Sequence, residues 1–198
     1  MDEINQEAMQ LKDKIMKKYF QLGMEQGFSK VLLDQVASEL SISKKTIYKF
    51  FTSKEEIISA CIDDVFTTID AEVLPIMTDQ SIGIIEKITR LPEIVAKHLM
   101  FFTRQQVVEI QRTFPHLWSK VLEQRKLRIE RYEALFRAAK ERGFIIDVEP
   151  KLLVHFFLVT IEAFTKESFM DEHNISYAES LQMVSKILLE GILSKSSN

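Results

Sequence analysis

Glycine and proline are scarce, five and four in 198 residues. An all-β sandwich or barrel needs a turn signal roughly every 8–12 residues, so this composition excludes that class. A single cysteine, Cys61, excludes an internal disulfide framework and fits a reducing cytosol. It sits in an apolar helical run and reads as an inert buried thiol. Long hydrophobic runs are missing: Leu152 to Ile161 is interrupted by His155 and Thr160 and falls far short of the ~20 residues of a membrane span. The start, Met1-Asp2-Glu3-Ile4-Asn5, is acidic and polar, unlike a signal peptide. The expectation is a cytoplasmic protein with no membrane partner. Neither charge dominates, with 26 Lys/Arg against 29 Asp/Glu and 46% hydrophobic residues. That balance excludes wholesale disorder and, at first reading, argues against a polyanionic partner.

Signatures of catalysis are missing as well. There is no Gly-rich phosphate loop, no Gly-x-Ser-x-Gly, no His-Glu-x-x-His and no Cys-x-x-Cys. Glu-x-x-His pairs of helical carboxylate metalloenzymes are absent. His98, His116, His155 and His173 form no i, i+4 pair with one another or with Cys61. The chain is therefore not expected to be an enzyme, and no catalytic residue, metal or cofactor is expected.

What is present is helical periodicity from end to end. Ile15, Tyr19, Phe20 and Leu22 give a stripe to a first helix over about 7–25, with Gly27 placed to cap its end. Short helices follow near 32–40 and 43–50. Ser53 and Glu56 form a capping box for a helix that Pro75 is expected to end. Longer helices are expected over 82–90, 92–102, 105–113, 116–142, 150–170 and 177–193. Gly143 stops the fourth of these, Pro150 opens the next with Glu149 before it, and Ser176 with Glu179 forms a second capping box. The fold class is all-α: a head of short helices, then a bundle of longer ones.

The informative stretch is 37–56. Two short helices joined by Leu40-Ser41-Ile42 match a helix-turn-helix, in which the first helix props the second into the DNA major groove. Val36, Ala37 and Leu40 would face Ile42 and Ile47. Ser43, Lys44, Lys45, Thr46, Tyr48 and Lys49 are left on the exposed side, and Lys54 opens the next helix. Lysines neutralise phosphates and release counterions, hydroxyls bond phosphates or base edges, and Thr46 can touch a thymine methyl. Leu40 to Lys54 holds four lysines and no acidic residue, while residues 1–56 hold nine Lys/Arg and nine Asp/Glu. The acidity of the chain lies entirely beyond residue 56.

Gly27-Phe28, Asp34-Gln35-Val36-Ala37, the run from Ser41 through Thr46-Ile47-Tyr48-Lys49-Phe50-Phe51, and Ser53-Lys54-Glu55-Glu56-Ile57 together resemble the N-terminal signature of the TetR (tetracycline-repressor-like) family. The likeness covers about residues 12–62. Three positions depart from it. Val31-Leu32 stands where a Thr cap is usual, leaving Ser29 as candidate cap or a looser helix end. Ser41 replaces the turn glycine, which argues against an obligatory left-handed residue there. Lys45 replaces a frequent glycine in the recognition helix.

The resemblance implies a helix-turn-helix DNA-binding domain over 1–56 and a helical ligand-binding and dimerisation domain over 57–198. It further implies a ligand-responsive repressor bound to a palindromic double-stranded DNA operator. Carried over, Tyr48 and Lys54 contact phosphates, with Lys44, Lys45, Thr46 and Lys49 as other groove contacts, and Phe50 and Phe51 pack. A homodimer through the last two helices is expected from the residues themselves. Leu152, Leu153, Phe156, Phe157, Ile161 and Phe164 line one side of the first of them, and Leu181, Val184, Leu188 and Ile192 stripe the second. Fourteen Phe and eight Met suit an adaptable apolar cavity for a small apolar or amphipathic effector. His98, Phe101, Phe102, Trp118, Phe157 and Glu162 are its candidate contacts. The alternative reading is a helical small-molecule-binding or protein-interaction module without DNA readout.

Overall fold

The computed structural model describes residues 2–99, 101–164 and 172–193. Its helices are α1 (Asp2–Gln26), α2 (Leu33–Glu39), α3 (Lys44–Tyr48), α4 (Lys54–Thr78), α5 (Ile84–Leu99), α6 (Arg104–Thr113), α7 (Pro115–Glu141), α8 (Pro150–Phe164) and α9 (Tyr177–Ile192). Among the described residues no strand forms, and an isolated antiparallel bridge pairs Ile145 with Leu193. None of these helices is long and apolar enough to cross a membrane. The all-α class expected from periodicity holds.

Two prolines were misplaced by the sequence reading. Pro75 does not end α4, and Pro92 does not divide 82–102 into two helices; both lie inside helices. A proline forfeits its own N–H bond and crowds the carbonyl four residues back. Pro92, however, belongs to the buried stripe Ile84, Ile88, Leu91, Pro92 and Ala96, and burying that stripe outweighs one lost bond. Pro75 falls in the last turns of α4, where its carbonyl still accepts the Asp79 N–H at 3.0 Å.

Packing divides the chain into two compact units, Met1–Phe66 with Gln105–Val121, and Thr67–Arg104 with Leu122–Asn198. The sequence reading places its boundary after residue 56. Compactness carries the first unit on to Phe66 and adds α6 and the start of α7, because polar side chains of α6 bond to the chain around residues 24–29 and Ile110, Phe114 and Leu117 are buried.

In the first unit Ile15, Tyr19, Val31, Val36, Ile47, Phe51, Ile57 and Ile58 are buried almost completely. The chain leaves α1 through Gly27, at φ +96°, whose N–H bonds the Gly23 carbonyl at 2.9 Å. Gly23 itself is required for space: a Cβ there would lie 2.3 Å from the Phe28 ring. Loop 27–30 is then held by three helices. The Tyr19 hydroxyl of α1 donates to the Phe28 carbonyl at 2.7 Å. Glu109 of α6 accepts the N–H groups of Phe28 at 2.9 Å and Ser29 at 2.7 Å, and also the Ser29 hydroxyl. Lys54 of α4 donates to the Ser29 carbonyl. With its hydroxyl on Glu109, Ser29 does not cap α2; Leu32 stands at that N-cap and provides no side-chain bond.

The turn between α2 and α3 overturns a second expectation. Ser41 is left-handed, at φ +53°, although it is not glycine. The Ile42 N–H reaches back to the Ala37 carbonyl at 2.9 Å and the Ser41 N–H to the Ser38 carbonyl at 3.1 Å. This is the bond pair of a Schellman motif, which needs a left-handed residue just past the helix end. The turn geometry imposes φ > 0 whatever the side chain. Ser43 then caps α3, accepting the Thr46 N–H at 3.0 Å. The box expected at Ser53 is only half formed. Ser53 accepts the Glu56 N–H at 3.1 Å, but the Glu56 carboxylate takes the N–H and hydroxyl of Thr52. The Ser176–Glu179 box is complete.

In the second unit α9 packs against α5 and α8, around Ala96, Ala178, Leu181 and Val184 with Val95, Leu99 and Phe157. Asp70 of α4 binds both Arg128 and Arg131 of α7. The α9 stripe Leu181, Val184, Leu188 and Ile192 is buried within this unit. Other apolar side chains stay outside: Leu152, Phe156 and Val159 on α8, and Met183 and Ile187 on α9.

Two substitutions test this account. Ser41→Gly relieves a left-handed non-glycine residue, and chemical denaturation is expected to show about 1 kcal/mol of added stability. Glu109→Ala leaves two backbone N–H groups without their acceptor, with an expected loss of about 1–3 kcal/mol. Amide exchange at Phe28 and Ser29 accelerates in the same variant.

Candidate nucleic-acid interface

A five-residue helix is not stable by itself. α3 is held by its Ser43 cap, by the bond from Ile42 to Ala37, and by Ile47, which is fully buried. With Ile47 turned inward, Ser43, Lys44, Lys45, Tyr48 and Lys49 are exposed, as expected, and Thr46 is half-buried. The hydroxyls of Ser43 and Thr46 bond each other at 2.8 Å, so part of their bonding capacity is spent on the cap. Tyr48 presents its ring at 48% exposure. Among the described residues, Lys45 and Lys49 have no ion-pair partner. Phe51 is buried and Phe50 half-buried, with the Lys12 ammonium 5.3 Å from the centre of the Phe51 ring.

Two lysines stand differently from the rest. Lys54 is half-buried with its ammonium on the Ser29 carbonyl, and this burial pulls it below the usual lysine range despite nearby Glu109. Lys44 carries a partner that the sequence window missed. Its ammonium lies 2.8 Å from the Asp34 carboxylate, and that hydrogen bond holds it above the usual range. Asp34 lies outside the acid-free window, and only the fold of α2 onto α3 brings it there. In sequence the clue is an acidic residue in the first turn of the helix preceding the basic one.

The six residues expected around a ligand do not converge. Phe157 lines a cavity of about 40 Å³ in the second unit, together with Ile88, Pro92, Ile129, Tyr132, Phe136, Val154, Ser185, Leu188 and Leu189. His98 bonds Glu72 at 2.9 Å, and Lys97 and His98 together hold the Glu72 carboxyl below its ordinary range. Phe101 is 70% exposed and Phe102 half-buried. Trp118 belongs to the first unit, and the Glu162 side chain lies outside the described residues. Phe101 and Phe102 follow the end of α5, and the His98 ring is taken up by Glu72. Tyr132 and Ser185 were missed; they are single polar-tipped residues in helices whose other positions dominate the pattern. Ser185 is already satisfied, donating to the Leu181 carbonyl. Burial raises the Tyr132 phenol above its ordinary range.

Among the described residues no group of three His, Cys, Asp or Glu could hold a metal ion. Burial pushes the Cys61 thiol up to about 12, so it carries almost no thiolate at neutral pH.

Two short helices joined by a tight turn, the second with a buried isoleucine and an outward face of lysines and tyrosine, define a helix-turn-helix DNA-binding transcriptional regulator. Residues 15–61 match the family described as bacterial regulatory proteins, tetR family. An uncharacterized HTH-type transcriptional regulator of Bacillus subtilis (strain 168), YvaF, is 21% identical over 179 residues, 90% of this chain and 94% of that protein. The chain is a regulator of the tetR family, a family of transcriptional regulators rather than enzymes. The fold is also that of a TetR/AcrR-family regulator from Thermobifida fusca YX-ER1, with a TM-score of 0.72 at 19% identity, covering 92% of this chain and 98% of that one. A transcriptional regulator from Saccharomonospora viridis, solved in complex with choline, matches with a TM-score of 0.71 at 17% identity, covering 94% and 100%.

Proposed function

We propose that this protein is a ligand-responsive cytoplasmic repressor that binds a palindromic operator as a homodimer, with residues 1–56 reading DNA and 57–198 dimerising and taking the effector. The observation that carries the DNA half is the outward face of α3, where Lys44, Lys45, Tyr48 and Lys49 are exposed around a single buried anchor, Ile47. Lys45 and Lys49 serve as phosphate contacts, Tyr48 as a phosphate donor, and Ser43 and Thr46 as the groove-facing hydroxyls. Lys54 contributes charge near the backbone while its ammonium anchors loop 27–30.

The dimer reading rests on the side chains that α8 and α9 leave outside. Leu152, Phe156 and Val159 recur at i, i+4 and i+7 on α8, and Met183 and Ile187 at i and i+4 on α9. Exposed apolar stripes of this kind call for a covering surface, and a two-fold copy covers both at once. Two heads then meet paired half-sites about one helical turn apart or a multiple of it.

The effector reading rests on the carbon-walled cavity at Phe157. At about 40 Å³ it has room for a few waters at roughly 10–15 Å³ each, well below the roughly 300 Å³ of an ordinary ligand site. An effector is therefore small and apolar or amphipathic, or it enters as the surrounding helices part. Choline in the Saccharomonospora viridis regulator is one amphipathic cation worth testing.

Selection from random duplex DNA is expected to enrich a palindrome; recovery of none at low salt would sink the DNA reading. Lys45→Ala and Lys49→Ala are each expected to weaken binding to every duplex and to reduce the log–log salt slope by about 0.9. The pair Phe156→Glu and Ile187→Glu is expected to halve the mass found by sedimentation equilibrium and to abolish binding to paired half-sites. A variant that stays dimeric would place the interface elsewhere.

A further inference from the structure

Asp34 stands in the first turn of α2 with its side chain 71% exposed, and its carboxylate lies 2.8 Å from the ammonium of Lys44, the first residue of α3. In a helix-turn-helix, the N-terminal residues of the second helix meet base edges while the first helix crosses the backbone. A carboxylate at that end of α3 faces a polyanion, which is unfavourable for a general phosphate-binding surface. Fold stability does not account for it either, since an ion pair between two exposed side chains adds little to folding.

The chemistry of the major groove does account for it. A carboxylate only accepts hydrogen bonds, and the donors there are the cytosine N4 and adenine N6 amines. Adenine sets its N7 acceptor beside that amine, which repels a carboxylate, whereas cytosine presents the amine alone. The guanine opposite that cytosine offers O6 and N7, both acceptors suited to a lysine. Guanine O6 and cytosine N4 hydrogen-bond each other across the pair, so donor and acceptor lie one hydrogen-bond length apart. Asp34 and Lys44 are held at the same spacing with the opposite polarity.

We propose that the Asp34–Lys44 pair is a specificity determinant that reads one G·C base pair in each half-site, Lys44 donating to guanine and Asp34 accepting from the cytosine N4 amine. The proposal rests on α3 being the DNA-reading helix. It adds a second consequence: on DNA without that base pair, Asp34 neutralises Lys44 and removes one phosphate-binding charge from the head.

The test is parallel selection from random duplex DNA with the full-length wild-type protein, Asp34→Ala and Asp34→Asn, joined to salt titrations on a random-sequence duplex. Wild type is expected to enrich sites with an invariant G·C pair in each half. Asp34→Ala relaxes that position by about tenfold, within the range of a good base contact. The same variant binds random duplex more tightly, with a slope steeper by about 0.9 as Lys44 is freed for a phosphate. Asp34→Asn moves the preference towards adenine, whose N6 and N7 an amide engages together. Sites and slopes identical in all three proteins, or a wild-type site with no fixed G·C pair, would overturn the proposal while leaving α3 as the reading helix. A wild type that enriches nothing brings down the reading of α3 itself.

Discussion

The head depends on how loop 27–30 is fastened. α2 and α3 are seven and five residues long, too short to hold a helical shape in water. Their geometry must come from outside them. Tyr19, Lys54 and Glu109 reach the loop from α1, α4 and α6 and take up the carbonyl of Phe28, the carbonyl of Ser29 and the two N–H groups between them. Each of these bonds alone contributes on the order of 1 kcal/mol. Together they fix where the chain enters α2, and hence where α3 points. Gly23 completes the arrangement by leaving room for the Phe28 ring.

Charge follows the same division between local and distant. Net charge over 198 residues is −3, and 1–56 sums to zero. What matters for an electrostatic partner is the surface at α3, where exposed lysines concentrate positive potential, because fields between exposed charges fade beyond about 10 Å in ordinary salt. The acidity beyond residue 56 does not cancel that local field. Asp34 does act locally, since it sits within hydrogen-bond reach of Lys44. A count along the chain separates these two residues by ten positions; the fold places them in contact.

Much of the fold was legible from the residues. The apolar stripe of α1, the glycines at 27 and 143 that end helices with positive φ, and the Ser176–Glu179 box all do what their chemistry requires. Errors came where tertiary packing overrode a local preference. Pro92 stays inside α5 because its face is buried, and Ser41 turns left-handed because the α2–α3 turn demands it. Glu56 turned to Thr52 and Ser29 to Glu109, since each found a geometrically better partner than the local motif assigns. The ligand residues were least legible. Aromatic residues at helical spacing declare that they are apolar, not which of them share a cavity, and of six only Phe157 reaches one.

The sequence by itself determined the class: all-α from its periodicity and scarce turn-formers, and a DNA-reading head from the order of residues between 27 and 57. Periodicity and motif order are properties of neighbours within a few residues, so they survive without coordinates. Only the tertiary structure decided which polar groups meet across the chain. Glu109 on the 27–30 loop and Asp34 on Lys44 join residues eighty and ten positions apart. So too with the apolar faces: burial of Leu181, Val184, Leu188 and Ile192 leaves Met183 and Ile187 outside. Which side of an apolar helix faces its own core depends on its neighbours in space, and no spacing rule within one helix contains that information.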